Sequence, residues 1–352
     1  MIRTDDTFVP SVAPASPARS DADEQMRFEG FAREIMAWQR EDAPKEDGLP
    51  RRGFHAKLHA GLMAEFHVLP GLPEYARHGV FSSPKSFPAL VRFSNGDSVA
   101  HADKTHEPRG IAIKLVGVPG RKLLPGLEDE VTQDFLATSH SVTSAVRDVG
   151  QFMAFIRAKR GGLKLVPLIR ALGFGEACRI LWSLFIHVRL PKVRSMVTEH
   201  FSSTAPIKLG PYAVKFMVRQ AAEPAAKTSR SSSDDFLHDD LARRLRQADI
   251  ALDFLVQFYV DDIRTPIEDT SVRWDTPFLK VAELHIPKCD LDSAHGKALS
   301  EAVNRLSFSP WHATEDHRPL GNVMRARRVA YEASSAFRKH DPEPTSLPLA
   351  GL

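Results

Sequence analysis

Cysteine is almost missing from this chain of 352 residues, which holds only Cys178 and Cys289. Two thiols cannot build a disulfide framework, and neither falls in a CxxC or Cys/His pattern. A secreted disulfide scaffold and a cysteine-rich metal site are therefore excluded, and a reducing, cytoplasmic compartment is expected. An excess of either charge is also missing: Lys+Arg 47 against Asp+Glu 44 leaves a formal net charge of +3. That gives no electrostatic footing for nucleic acid, whose phosphates require a clustered basic surface. No run approaches the ~20 apolar residues of a spanning helix, and the first ten residues contain no apolar signal-peptide core. No internal repeat, Walker loop, GxSxG elbow or HExxH pair is present, so the common signatures of nucleotide, serine-hydrolase and zinc-protease chemistry are absent. Tyrosine and tryptophan are scarce, at 4 each, beside 21 Phe and 15 His. The imbalance suggests apolar walls with polar nitrogens among them.

What remains is 43% hydrophobic and 26% charged, a globular composition long enough for one large domain or two small ones. Residues 1–24, with Pro10, Pro14 and Pro17 among Ser, Ala and Asp, read as a disordered leader. From Glu24 to Gln39, Met26, Phe28, Phe31, Ile35, Met36 and Trp38 recur at helical intervals, and the Pro-, Gly- and charge-rich stretch Asp42 to Gly53 ends that helix. Ala64, Phe66 and Val68 share one face of a strand. Leu90 to Phe93, Gly110 to Leu115, Phe254 to Val260 and Phe278 to Ile286 are further short runs bounded by turn residues. This order predicts an α+β chain, an antiparallel sheet or barrel with helices around it, rather than a βαβ alternation.

Arg157 to Arg194 is a basic helical insertion, extending to about residue 200, in which Glu176 is the lone acid. Such a segment resembles a membrane-surface helix, although a helical hairpin packed on its own domain is the preferred reading. An Ala- and Arg-rich helix runs from Gly321 to Arg338, and residues 341–352 form a loose tail.

Three constellations could carry chemistry. Arg327, Tyr331 and Arg338 stand four and seven residues apart on one stripe of the last helix. A guanidinium one turn from a phenol favours phenolate over the usual pKa near ~10, and phenolate is a hard ligand for ferric iron. On spacing alone, an ordinary tyrosine beside charged neighbours is the preferred reading. In Arg52-Gly53-Phe54-His55-Ala56-Lys57-Leu58-His59, a pocket histidine acting as general acid or base is a simpler reading than a metal site. The histidines His55, His59, His67 and His140 have no carboxylate at ligand spacing. Arg92 and Arg109, in apolar strand segments, each need an anionic partner, either a protein carboxylate or a ligand carboxylate.

Together these segments resemble the haem catalase family. Arg52 to Lys57 matches that family's R-x-x-H-A-K, Val91-Arg92-Phe93-Ser94 its V-R-F-S, and Arg109 to Leu115 its R-G-F-A-x-K-F. Arg147 to Phe152 resembles its R-D-x-x-x-F, and Pro266 to Trp274 its P-F-D-x-T-x-x-W. Arg327, Tyr331 and Arg338 match its proximal helix. The matches run in the family's order from about Arg51 to Arg338, and Pro310-Trp311-His312 with His317 to Asn322 is similar to the small catalase-related branch. The resemblance implies a single catalase-like haem domain over residues 25–340, an antiparallel barrel with surrounding helices, binding haem b and its iron. It implies Tyr331 as proximal iron ligand held by Arg327, with Arg52, Arg92 and Arg338 on the haem propionates. It further implies His55 as distal acid/base, Ser94 orienting its ring, and Phe152 over the distal haem face.

Two departures stand out. The family's distal Asn falls in Ala137-Thr138-Ser139-His140-Ser141-Val142, which makes Ser139 its replacement, with His140 as the alternative; the residue before the distal His is Phe54. The expected function is a hydroperoxidase acting on hydrogen peroxide or an organic hydroperoxide. Rearrangement of a fatty-acid hydroperoxide, as in allene oxide synthases resembling catalase, and non-catalytic haem binding are the alternatives. The expected partner is a small peroxide or a lipid hydroperoxide, with peripheral membrane contact through 157–194 and a homo-oligomer as further possibilities.

Overall fold

The computed structural model describes residues 8–14, 21–42, 52–139, 143–162, 165–189, 193–221 and 233–347. Helix α1 (Ala22–Glu41) leads into strands β1 (Leu58–Val68), β2 (Ser86–Asn95), β3 (Arg109–Val116) and β4 (Thr132–Thr138). Three helices follow, α2 (Val149–Arg160), α3 (Leu165–Leu172) and α4 (Phe174–Leu184). After them come β5 (Phe201–Ser202), β6 (Ile207–Leu209), β7 (Tyr212–Gln220), α5 (Phe236–Gln247), β8 (Ile250–Phe258) and β9 (Phe278–Ile286). Helices α6 (Ala294–Arg305) and α7 (Asn322–Arg338) complete the chain.

The strands pair antiparallel in the order β5-β4-β3-β2-β1-β9-β8-β7-β6, and β5 also pairs with β7. That second pairing closes the sheet into an eight-stranded barrel, with β6 as a hairpin arm on β7. The seam is small: Thr138 opposes Ser202 on one side, and Phe201 and Ser202 oppose Val218 and Met217 on the other. Side chains alternate along each strand, so Phe66, Phe135, Phe216 and Phe254 meet inside the barrel. Phe254 stands 5.3 Å from Phe66, 5.2 Å from Phe135 and 5.0 Å from Phe216, ring centre to ring centre. Much of the phenylalanine excess therefore fills the barrel core. The opposite face of β2 and β3 presents Arg92, Ser94, Gly110, Ala112 and Lys114, beside the contact of α6 with β1 and β2 through Leu90, Leu299 and Val303.

The expected strands β1, β2, β3, β8 and β9 are all present, and the expected α+β barrel is the architecture. Two expectations at the chain ends change. Within the supposed leader, Phe8 packs on Tyr75 and Phe258, and the Ser11 and Ala13 N–H groups donate to the carbonyls of Tyr259 and Pro211. Glu24, at the edge of that leader, lies within α1 and is buried against Arg325 of α7 at 2.8 Å. The remaining leader residues, 1–7 and 15–20, lie outside the described residues. In the supposed loose tail, Glu343 reaches back to Lys114 at 2.6 Å, with Asp134 on the same ammonium at 2.8 Å. Lys114 is wholly buried, and a buried cation needs countercharge. The tail supplies part of it, which a reading of tail composition does not foresee.

The basic insertion is helical, as expected, but its cations do not form one solvated face. Arg157 pairs with Glu34, Arg160 with Glu41 and Asp42, and Lys159 with Asp97. The acids come from α1 and from the segment after β2, which the local sequence cannot reveal.

Candidate functional site

The site is built on the outer face of β2 and β3 and on α7. His55 sits in the turn before β1 with φ of +59°, a left-handed conformation that costs a non-glycine residue roughly 1–3 kcal/mol. Neighbours hold it there. Arg92 donates to the His55 carbonyl at 2.9 Å, and the ring Nδ1 contacts the Asn95 carbonyl closely and the Ser94 hydroxyl at 3.2 Å. A carbonyl can only accept, so Nδ1 carries the hydrogen and the lone pair lies on Nε2. Burial, and then the charge of Arg92, push the imidazole pKa down from 6.5 to about 4, so the ring is neutral near pH 7. Gly110 makes room for it: a Cβ there would lie 2.5 Å from His55 Nδ1 and 2.8 Å from Ser94 Oγ.

Helix α7 starts at Gly321, whose φ of +85° and close approach to the Ile267 carbonyl only glycine accommodates. The helix places Tyr331 and Arg327 one turn apart, and Arg327 donates to the phenol oxygen at 2.9 Å with its guanidinium carbon 5.0 Å from the ring centre. Seven residues beyond Tyr331, Arg338 joins Arg52 and Arg92. Arg52 and Arg338 both donate to the backbone carbonyls of Asn304 and Leu306, at 2.6–3.0 Å, and Arg92 donates to the Asn304 side chain at 3.1 Å. Those acceptors cap the C-terminal end of α6, where a helix carries only about half a negative charge. No ion pair between these three guanidiniums and a carboxylate occurs among the described residues, and Arg52 Nε has no hydrogen-bond partner. Burial and mutual repulsion lower their pKa values: Arg92 to about 9, Arg338, mainly by burial, to about 10, and Arg52 well below its usual range.

Three partly or fully buried cations that no carboxylate among the described residues ion-pairs fit an anionic ligand with at least two acidic groups, and the propionates of haem meet that description. Tyr331, polarised by Arg327, is chemically suited to ferric iron. His55, Arg52, Arg92 and Arg327 lie close enough for each of the three arginines to act on the imidazole, and Tyr331 acts on Arg52 in turn. The residues present therefore fit a haem.

Of the other expected residues, Phe152 lies in the first turns of α2, capped by Asp148 through the Gln151 N–H at 2.9 Å. Its ring meets Phe54, the residue before His55, at 5.9 Å. Ser139 is buried and its hydroxyl accepts from the Arg109 N–H at 2.9 Å; it caps the strand end beside Gly110. His140 lies outside the described residues. Arg109 resolves to the protein-carboxylate reading, paired with Glu107 at 2.9 Å, whereas Arg92 does not. His59 is buried away from His55 in the company of Asp103, and His67 bonds Ser86. Among the described residues, no cluster of His, Cys, Asp and Glu gathers as a metal site. Asn304 and the carbonyls of Leu306 and Asn95 escape sequence reasoning, because a backbone acceptor leaves no residue-type signal.

No protein-family model matches the chain. In sequence it is 27% identical over 262 residues to a catalase-related peroxidase of Mycolicibacterium paratuberculosis, covering 71% of this chain and 78% of that one. In structure it resembles catalase A from Saccharomyces cerevisiae, with a TM-score of 0.63, 16% identity and 95% of this chain matched to 68% of that one. A fungal catalase gives a TM-score of 0.64 at 16% identity, and a bacterial catalase 0.61 at 15%. The chain spans about two thirds of those solved catalases, covering 66% and 64% of the latter two.

Proposed function

We propose that this chain, which has the catalase fold and is similar in sequence to a catalase-related peroxidase, is a haem-dependent hydroperoxidase. The observation that carries the reading is the convergence of Arg52, Arg92 and Arg338 with no ion-paired carboxylate among the described residues, beside a Tyr331–Arg327 pair and a neutral His55. In this reading Tyr331 would hold the iron of haem b through its phenol oxygen, which Arg327 already engages by a donated hydrogen bond. Arg52, Arg92 and Arg338 hold the propionates. Ferric haem, when bound, supplies the redox chemistry that breaks an O–O bond.

The remaining work belongs to the side chains. His55 Nε2 accepts the proton of the hydroperoxide and returns it to the departing oxygen, and the Nδ1 contacts to Ser94 and Asn95 keep the ring in the one tautomer that can do so. Phe54 and Phe152 give the distal side an apolar wall. Ser139, as the replacement for the family's distal Asn, offers a shorter reach, and its oxygen is already engaged by the Arg109 N–H. A distal side with one proton acceptor and two aromatic rings suits a peroxide with an apolar substituent better than hydrogen peroxide. We therefore expect organic hydroperoxides to be turned over faster than oxygen is evolved from hydrogen peroxide.

One set of measurements tests this. The protein supplied with haem should show a Soret band that Tyr331→Phe displaces, peroxidase turnover of an alkyl hydroperoxide with a phenolic reductant, and weak oxygen evolution. A protein that takes up no haem, or whose spectrum ignores Tyr331→Phe, refutes the reading. Haem uptake without turnover would instead identify a binding protein, and an epoxide product formed without reductant a hydroperoxide isomerase.

A further inference from the structure

Helices α3 and α4 form a hairpin with a small core of its own, in which Leu168 and Ala177 pack on Ala158 of α2. Its outward side is not what a hairpin packed on its own domain presents. Leu165, Val166, Phe174, Trp182 and Phe185 are all exposed, Phe174 by 70% and Trp182 by 67%, and the rings of Trp182 and Phe185 stack at 6.0 Å. Five large apolar side chains exposed within 21 residues form a patch of the kind that marks an interaction surface.

Charge decides which surface fits. Between residues 149 and 198 the one carboxylate is Glu176, and it is taken up by Arg179 and Arg147 at 2.9 and 3.0 Å. Arg157, Lys159 and Arg160 are neutralised by acids from outside the hairpin. Arg170 is exposed on α3, and no ion pair of it occurs among the described residues; Arg194 follows the hairpin. Among the described residues the patch thus combines aromatic and aliphatic groups with the unpaired charge of Arg170 and no free acid. A second copy of the chain, docking through the same patch about a two-fold axis, would set these cations against each other. An anionic bilayer surface satisfies both features, since Trp and Phe lodge at the headgroup boundary while arginines meet phosphate.

We propose that the α3–α4 hairpin docks the protein peripherally on anionic membranes, with Phe174, Trp182 and Phe185 entering the headgroup region. Among the described residues no helix is long and apolar enough to cross a membrane, so the contact is one of lying on the surface. The inference is independent of the haem reading and can be tested without haem.

The experiment is flotation of the full chain with phosphatidylglycerol/phosphatidylcholine vesicles and with phosphatidylcholine alone. The chain should float with the anionic vesicles, weaken as salt is raised, and show a blue-shifted tryptophan emission that Trp182→Phe largely removes. The exposed triple variant Phe174→Ser/Trp182→Ser/Phe185→Ser should keep its circular dichroism and lose binding by tenfold or more, and Arg170→Glu should lose several-fold. Equal flotation of the triple variant, or no flotation with any vesicle, overturns the proposal. So does a wild-type dimer in light scattering that the triple variant converts to monomer without any vesicle binding, because a second copy is then the occupant.

Discussion

His55 combines a left-handed backbone, a fixed tautomer and a depressed pKa, and each has a measurable consequence. A base whose pKa lies at about 4 is ready throughout the neutral range and is lost as pH falls through about 4, since protonation removes the Nε2 lone pair. The pH profile of kcat/KM should be flat above pH 5, with an acid limb near 4 and none near the usual histidine value of 6.5; a limb at 6.5 would mean that the ring is not held as described. Gly110 offers a second check. Its backbone tolerates alanine, but the new methyl would displace the imidazole, so Gly110→Ala should lower turnover tenfold or more with a thermal midpoint shifted by only a few degrees. The residue types here were legible in the sequence through the family's ordered motifs. The partners were not: whether Arg92 or Arg109 lacks a carboxylate depends on Glu107 lying two residues from one and on nothing comparable lying near the other.

Helices and strands set which of these groups can meet. The four- and seven-residue spacing on α7 was readable and is what the helix delivers. The strands Tyr212–Gln220 and Thr132–Thr138 were not among those expected; the second was obscured because its Thr132, Gln133 and Asp134 are buried polar residues, which defeat a hydropathy reading. Asp134 belongs to the buried group of Lys114 and Glu343, where burial raises its carboxyl to about 7 against the opposing pull of Lys114. Lys114→Met would strand two buried carboxylates and should cost about 3–5 kcal/mol in urea unfolding. Glu343→Gln, which leaves Lys114 its Asp134 partner, should cost about 1–2 kcal/mol. If the two costs were equal, the tail would be a bystander to this charge group.

The whole molecule carries several imidazoles that fold in the neutral state. Burial lowers His312 to about 2, His317 to about 3 and His55 to about 4, and lowers His59 as well. Each binds a proton in the unfolded chain near pH 6.5 but not in the fold. Their contribution to stability is therefore full above pH 6.5 and falls as pH drops toward 4, by roughly 1.4 kcal/mol per pH unit for each imidazole, while Asp134 and His238, whose pKa values the fold raises, oppose it near neutrality. Thermal melts should show the midpoint declining steadily from pH 6.5 to 4.5; a midpoint constant over that range would contradict the assignment. The barrel was foreseen, as a sheet or barrel from the strand order and as a barrel from the resemblance, but the strand that closes it was not, because a two-residue strand leaves no periodic trace. That closure means that the ring of strands is a chain fastened by its weakest clasp. Long ladders such as β1 with β2 share their load over many hydrogen bonds, while the β4–β5 junction rests on one residue pair. Breathing of the barrel should therefore begin at Thr138 and Ser202, one residue from Ser139. In deuterium exchange, the amides there should become labelled long before those of β1 and β2.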